Sequence, residues 1–395
     1  MRFVAFLTRS MPFAGLQIAL ACLLAAGVAW SAVGAARSGA GQRMPRFASS
    51  PSSVRSLQAE PLVVSDEQLD AVVHKLRPRL KTPQPKVNYV DHALRFWGLT
   101  ETAADDGCFS GEELRLLLTD DSRFVAAWGP RTRPLLRIRD GGVAVRTQQG
   151  NATASHVDHT LATLAEVGTP LEFPLVSRQG ASNVGELLRQ AVRSLDVNQP
   201  EYEWTVLAIA LYAADGEPWV AADGDRVEFD RLARRLMRQQ YVQGVCFGNH
   251  RLYTLAALLQ LDEQKSLLAG ETRSEIVRHL TEATQRLVRS QATTGYWDGG
   301  WSNPEAPARE RAKESDLDET ARRLLATGHA LEWWAIAPAE VQPPRETVVR
   351  AGQWLVAQVE QLDDEAVLKN YTFLTHVGRA LCLWRGRTTG GASQP

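Results

Sequence analysis

Cysteine is scarce in this chain, and no two cysteines stand in a CxxC pair. Four occur in 395 residues, at Cys22, Cys108, Cys246 and Cys382. Cys22 lies in an apolar N-terminal stretch, which leaves three in the body. An odd number does not indicate a disulfide scaffold. One bridge with a free thiol and three buried thiols both remain open. An excess of charge of either sign is also lacking. Lys and Arg total 44 against 45 for Asp and Glu, a net charge of −1. There is no overall basic field to hold a polynucleotide and no acidic tail, so no nucleic-acid partner is expected. Long hydrophobic runs are missing from the body, which at 44% hydrophobic and 23% charged residues reads as globular.

The exception is the start of the chain. Arg2 and Arg9 precede an apolar run from about Met11 to Ala36. That length is near the ~20 residues needed to span a bilayer. Val33-Gly34-Ala35 is also small enough for signal-peptidase cleavage. Residues 1–36 are therefore expected to be a signal anchor or a signal peptide. Either way the body works outside the cytoplasm, anchored in the inner membrane or secreted. Residues 37–62 are rich in Ser, Ala, Arg and Pro without a period, and are expected to be a flexible linker. Residues 388–395 are expected to be a disordered tail.

What the chain does have is a recurring phrase. Gly248-Asn249-His250-Arg251-Leu252-Tyr253-Thr254-Leu255 contains a His, a Leu two residues on, and a Leu three further. The frame returns at His92, His159 and His329, so half of the eight histidines open it. The surrounding segments have helical periods. Ser65 with Gln68, and Ser110 with Glu113, read as capping boxes. Later helices are expected over Val184–Leu195, Glu203–Tyr212, Phe229–Gln239, Asn249–Leu261, Ser274–Arg289, Thr320–Trp334, Thr347–Val359 and Tyr371–Trp384. Phe124–Trp128, Leu135–Arg139 and Val143–Arg146 read as strands of a small β insertion at about 122–147, with Asp140-Gly141-Gly142 as its turn.

From Ser65 this gives twelve helices in six pairs. The first of each pair is amphipathic and the second more apolar. An apolar helix must be buried on most sides, and an amphipathic one needs a wet face. A mainly α (α/α)6 toroid over residues 63–387, with six inner and six outer helices, meets both needs. It would bring the N-termini of the inner helices, and with them His92, His159, His250 and His329, to one mouth.

Gln291-Ala292-Thr293-Thr294-Gly295-Tyr296-Trp297 resembles the QW motif of the terpenoid cyclase and prenyltransferase superfamily, whose fold is the (α/α)6 toroid. Its Gln amide is expected to tie a helix end to the next loop while stacking on the Trp ring. Asp316-Leu317-Asp318-Glu319-Thr320-Ala321 resembles the acidic motif of the class II cyclases. The resemblance implies that Asp318 is the acid, but Glu319 departs from the pattern. Protein prenyltransferases of the superfamily hold zinc through Asp, Cys and His. By that resemblance Cys246, His250 and His329 are a candidate zinc set, although position 244 is Gly. Asn249, His250, Arg251 and Tyr253 are similar in type to the cleft residues of toroidal polysaccharide lyases. There Asn neutralises a uronate and His or Tyr takes its proton. The whole chain also resembles exported proteins of planctomycete-type bacteria, a likeness that implies no activity.

The leading expectation is a histidine-lined cavity. His250 is the candidate base or ligand, with Asn249, Arg251 and Tyr253 beside it and His92, His159, His329 and Asp318 in the lining. Metal-assisted or lyase-type chemistry on a small molecule or polysaccharide would follow. The alternative is a non-catalytic interaction scaffold. A cyclase or prenyltransferase ranks below both. Asp91 and Asp158 are expected to be helix-start residues, and Glu203 and Glu332 to need partners if buried.

Overall fold

The structure, a computed structural model, describes residues 44–77, 80–82, 84–139, 142–147, 150–199, 201–221, 224–241, 245–303 and 317–387. The N-terminal apolar run, Asp316 and the tail lie outside these residues. The chain divides into two units. In the smaller, the described secondary structure is one hairpin, Trp219–Val220 paired with Arg226–Val227. The larger comprises residues 45–217 and 228–395, and contains all fourteen α-helices among the described residues.

Helices α1 (Asp66–Lys75) and α3 (Gly111–Thr119) begin with the two expected capping boxes, at Ser65 and Ser110. Between them lies α2 (Val87–Trp97), which is almost wholly buried. The run Phe124–Trp128 is not a strand but the body of α4 (Asp121–Trp128). Asp120 caps it by accepting from the Ser122 N–H, and Phe124 and Trp128 stack one turn apart at 4.4 Å. Their spacing of four makes one buried helix face, which outweighs their strand propensity. The expected hairpin is shorter than 122–147 and pairs β1 (Leu136–Arg139) with β2 (Gly142–Val145). A second, unforeseen hairpin pairs β3 (Pro174–Ser177) with β4 (Gly180–Asn183). The hairpin of the smaller unit was also unforeseen.

The remaining helices follow the expected alternation, except for one short helix, Asp364–Lys369, that was not expected. They are α5 (His159–Glu166), α6 (Val184–Ser194), α7 (Glu203–Tyr212), α8 (Phe229–Arg238), α9 (Asn249–Lys265), α10 (Gly270–Ser290), α11 (Glu319–Ile336), α12 (Arg345–Gln361), α13 (Asp364–Lys369) and α14 (Tyr371–Trp384). All ten residues of α7 are buried, so no side of it meets water. In α8 only Phe229, Leu232, Ala233 and Leu236 are buried, one stripe of an otherwise charged helix. Six apolar helices pack in a closed cycle: α2 on α5, α5 on α7, α7 on α9, α9 on α11, α11 on α14, and α14 back on α2.

Residues 45–62 are not a free tether. They run as a strap whose N–H groups satisfy carbonyls at helix C-termini. Ser52 donates to Leu211, Leu57 to Ala335 and Glu60 to Trp384, at 2.8–2.9 Å. Gln260 clamps the strap from α9, accepting from the Arg55 N–H and donating to the Arg55 carbonyl. Low hydrophobicity suggested a linker. The orphan carbonyls at the ends of buried helices supply the ordering force instead.

The Gln291 motif ties elements as expected. Its amide donates to the carbonyls of Gly295 and of Thr347 in α12, both at 2.9 Å. Trp297 Nε1 donates to the Leu287 carbonyl near the end of α10. The Trp297 ring meets Trp334 edge-on. Cys108, Cys246 and Cys382 are all free, so no bridge joins any two of them.

Candidate functional site

The six cyclically packed helices each contribute one ring to a central aromatic cluster. These are His92 from α2, His159 from α5, Trp204 from α7, His250 from α9, His329 from α11 and His376 from α14. The Trp204 ring touches His159 at 4.5 Å and His250 at 4.6 Å. His156, just ahead of α5, adds a sixth imidazole. Centroid distances trace a closed circuit: His329 to His376 3.8 Å, His376 to His92 5.2 Å, His92 to His159 4.5 Å, His159 to His156 5.8 Å, His156 to His250 5.9 Å and His250 to His329 4.8 Å. The five helical histidines are no more than 3% exposed.

The four framed histidines therefore meet, although not all at helix starts. His159 and His250 open their helices, but His92 is sixth in α2 and His329 eleventh in α11. Close approach of α11 and α14 makes the tightest pair. Gly328 permits it, because a Cβ there would sit 3.1 Å from Val377 Cγ2 and from the Val377 backbone N.

Hydrogen bonds fix which nitrogen of most rings is free. His92 Nδ1 lies 2.8 Å from the Asn88 carbonyl oxygen, and His156 Nδ1 lies 2.7 Å from Glu201. His159 Nδ1 lies 3.0 Å from Asp91. His329 and His376 both point Nδ1 at Glu332 Oε2, at 3.2 and 3.0 Å. A carbonyl or carboxylate oxygen only accepts, so each of these Nδ1 atoms carries the proton. Among the described residues, the opposite nitrogens, Nε2 of His159, His329 and His376, are buried and have no partner. His250 has none at either nitrogen. Burial, reinforced by neighbouring imidazoles, holds His92 and His250 well below the usual histidine range. Burial lowers His329 despite Glu332, and brings His376 down to about 3. These four rings are neutral, each Nδ1 proton of His92, His329 and His376 leaving a lone pair on Nε2.

One helical turn beyond four of the histidines lies a charged layer. Arg95, Tyr253, Glu332 and Arg379 stand three residues after His92, His250, His329 and His376. Arg95 donates to Glu332 at 2.6 Å and to Glu166 at 2.6 Å. Arg379 reaches the same two carboxylates, at 2.5 and 3.1 Å. The Tyr253 hydroxyl donates to Glu166 at 2.5 Å. Burial alone would raise both carboxyls, but the two guanidiniums outweigh it and hold them low. Two cations balance two anions, so the layer adds no net charge beneath the rings.

The other expected site residues part company. Asn249 bonds back to the Cys246 carbonyl, and Arg251 donates to the Gln240 carbonyl. Successive helix residues point about 100° apart, so only His250 and Tyr253 share the inward face. The Asn-His-Arg-Tyr quartet does not converge. Asp318 is the N-cap of α11, accepting from the Ala321 N–H and pairing with Lys369 at 2.8 Å. It precedes His329 by eleven residues, about 16 Å of helix. Lys369 and the cap hold its carboxyl low, the opposite of what a protonating acid needs. Asp91 is no helix-start residue. It is the fifth residue of α2, buried against His159 and Thr160. Asp158 does occupy the N-cap of α5, but its side chain accepts from Thr205 and caps nothing.

Two donor sets have ligand atoms within 4.8 Å of one another: Cys246, His250 and His329; and His329, Glu332 and His376. Cys246 sits in a turn where it and Phe247 both adopt left-handed backbone, φ 52° and 59°. Each costs of order 1–2 kcal/mol for a non-glycine residue. Burial pushes the Cys246 thiol up, so it is protonated without a cation beside it. Glu203, at the start of α7, is fully buried; burial raises its carboxyl against the opposing charge of Arg251, and among the described residues neither oxygen has a hydrogen-bond partner.

From sequence His156 and His376 lie close to the same helix ends but outside the frame, and Arg95, Glu166 and Arg379 were not singled out. The signal for three of them was a polar residue three or seven places after a histidine on an otherwise apolar helix. Comparison with protein-family models, curated proteins and solved structures returned no match.

Proposed function

We propose that residues 63–387 form an (α/α)6 toroid whose central imidazoles bind a transition-metal ion, used for metal-assisted chemistry on a small molecule. On this reading residues 1–36 carry the protein out of the cytoplasm or anchor it there. The closed cycle of six apolar helices supports the toroid. One observation carries the metal: most of the rings have Nδ1 held by a carboxylate or carbonyl, while the buried Nε2 atoms of His159, His329 and His376 have nothing to bond. Tethering Nδ1 in this way fixes tautomer and ring direction, as metal-ligating histidines require. Each unsatisfied buried polar group costs about 1–3 kcal/mol, a cost that a bound ion would relieve.

Neutral imidazoles, with a thiol at Cys246, suit zinc, copper, iron or nickel, not the oxygen-seeking calcium or magnesium. Such an ion polarises a bound ligand and activates bound water. The depth of the rings favours an ion and a small ligand over a polymer. Two pockets, of about 720 and 600 Å³, are lined by none of the six imidazoles.

Metal analysis of the purified full chain tests the proposal, followed by titration of chelated protein with each ion. Near-stoichiometric metal is expected, with affinity at least tenfold weaker in His329→Ala, because His329 belongs to both donor sets. A folded protein that arrives empty and takes up no ion at micromolar concentration overturns it.

The second reading is a non-catalytic scaffold, favoured by the complete internal pairing of Arg95, Arg379, Glu166 and Glu332. It expects His250→Leu and His329→Leu to raise stability and change nothing else.

A further inference from the structure

We infer that the paired hairpins β1–β2 and β3–β4 form a surface that docks on anionic lipid headgroups. The segment from residue 131 to 146 holds five arginines, at 131, 133, 137, 139 and 146, against one aspartate, Asp140. The protein as a whole is near neutral, so this is a local concentration of charge. Arg131 and Arg133 are exposed and Arg137 is half-exposed. Among the described residues none of these three pairs with an acidic side chain. Arg146 is spent differently, holding the carbonyls of Arg133, Pro134 and Ala152. The cations of Arg137 and Arg133 depress it further, beyond the effect of burial, which places them close together.

The second hairpin extends the same surface. The Gln179 side chain accepts from the Ile138 N–H at 2.9 Å, joining the β3–β4 turn to β1. Arg178 in that turn is exposed. Its backbone N–H goes to Asp121, which occupies that acid internally. In the same two hairpins two apolar side chains face water: Ile138 at 37% and Val176 at 41% exposure. Isolated cations would suit any polyanion. Cations interleaved with apolar side chains match the boundary between headgroups and acyl chains.

Chain geometry points the same way. The Leu171 N–H, three residues before β3, donates to the Ser49 carbonyl of the strap. The hairpin base is thus held where the chain enters the body. If residues 1–36 lie in a bilayer, residues 37–48 extend no more than ~43 Å at full stretch. This last argument rests on the anchor reading; the charge and apolar pattern do not.

The test uses the full chain in nanodiscs of phosphatidylcholine alone, or with one quarter phosphatidylglycerol. Hydrogen exchange is followed in residues 131–145 and 174–183. With phosphatidylglycerol, exchange should slow at least fivefold, and 0.5 M NaCl should restore it. Each of Arg133→Gln and Arg137→Gln should lose about fivefold of the protection, as expected for removing one cation near an anionic surface. These residues are exposed or half-exposed, so folding is spared. Equal exchange in both discs, with the chain inserted, overturns this inference and leaves the anchor reading intact. A chain that stays off both discs overturns both. Protection by soluble polygalacturonate but not by phosphatidylglycerol overturns the lipid assignment in favour of an acidic polysaccharide.

Discussion

The rings of His329 and His376 lie 3.8 Å apart, the closest imidazole pair in the circuit, and both turn Nδ1 toward the same oxygen of Glu332. Neither ring can turn without breaking that shared contact. Two Nε2 lone pairs are thereby fixed by one carboxylate, which two arginines neutralise in turn.

Glu332→Gln should be among the most damaging single changes. It leaves Arg95 and Arg379 buried with one carboxylate between them. Breaking such a buried pair costs about 3–5 kcal/mol. Urea unfolding should show that loss, and metal affinity should fall ten- to a hundredfold as the ring orientation loosens. A loss under about 1 kcal/mol would mean that the layer is not held as described.

Acid should unfold the metal-free protein early. Burial places the folded pKa of His92, His250, His329 and His376 below the usual value, near 6.5 in an unfolded chain. Below pH ~6.5 the unfolded chain therefore binds more protons, and stability falls with pH. Each ring that stays neutral in the fold contributes about 1.4 kcal/mol per pH unit in that range. Glu332 and Glu166, held low, add further loss below about pH 4.5. Unfolding in chelator should be level from pH 8 to 7 and steep below 6.5. A level curve down to pH 5.5 would refute the neutral-ring description.

Glu203→Met should stabilise the fold. The carboxyl is buried with neither oxygen bonded, so an apolar chain of similar length removes an uncompensated burial of about 1–3 kcal/mol. If stability drops instead, Glu203 has a partner, such as a bound water or ion, that the variant removes.

At the Gln291 tie, Gly295→Ala should cost more than Gln291→Ala. Gly295 has φ 111°, and a Cβ there would stand 2.4 Å from the Arg350 carbonyl oxygen. Gln291→Ala loses the two hydrogen bonds its amide donates, about 1–3 kcal/mol together, and an exposed one that it accepts from Arg350. Thermal unfolding of the two variants orders them directly.

Much of this was legible in the residues. Apolar and amphipathic periods marked the helix pairs, and the His-x-Leu frame found four rings of the central circuit. His376 was noted close to the same helix ends but left out of the set, because no leucine follows it in frame. Yet it is the sixth residue of α14, as His92 is of α2, so position within the helix carried what the local frame did not. Phe124–Trp128 misled because aromatic and β-branched residues favour strands until a cap and an i,i+4 contact decide otherwise. The direction of Arg251, away from His250, follows from one residue of helical phase that side-chain types alone do not reveal. The order of residues 45–62 depends on carbonyls of distant helices, and no local pattern announces them.

The strap also sets a timetable for folding. Its partners lie on α7, α11 and α14, so the first part of the body to be synthesised is the last to find its place. Until Trp384 arrives to accept from Glu60, the leading segment has no complete seat. Such long-range closure is slow compared with helix formation.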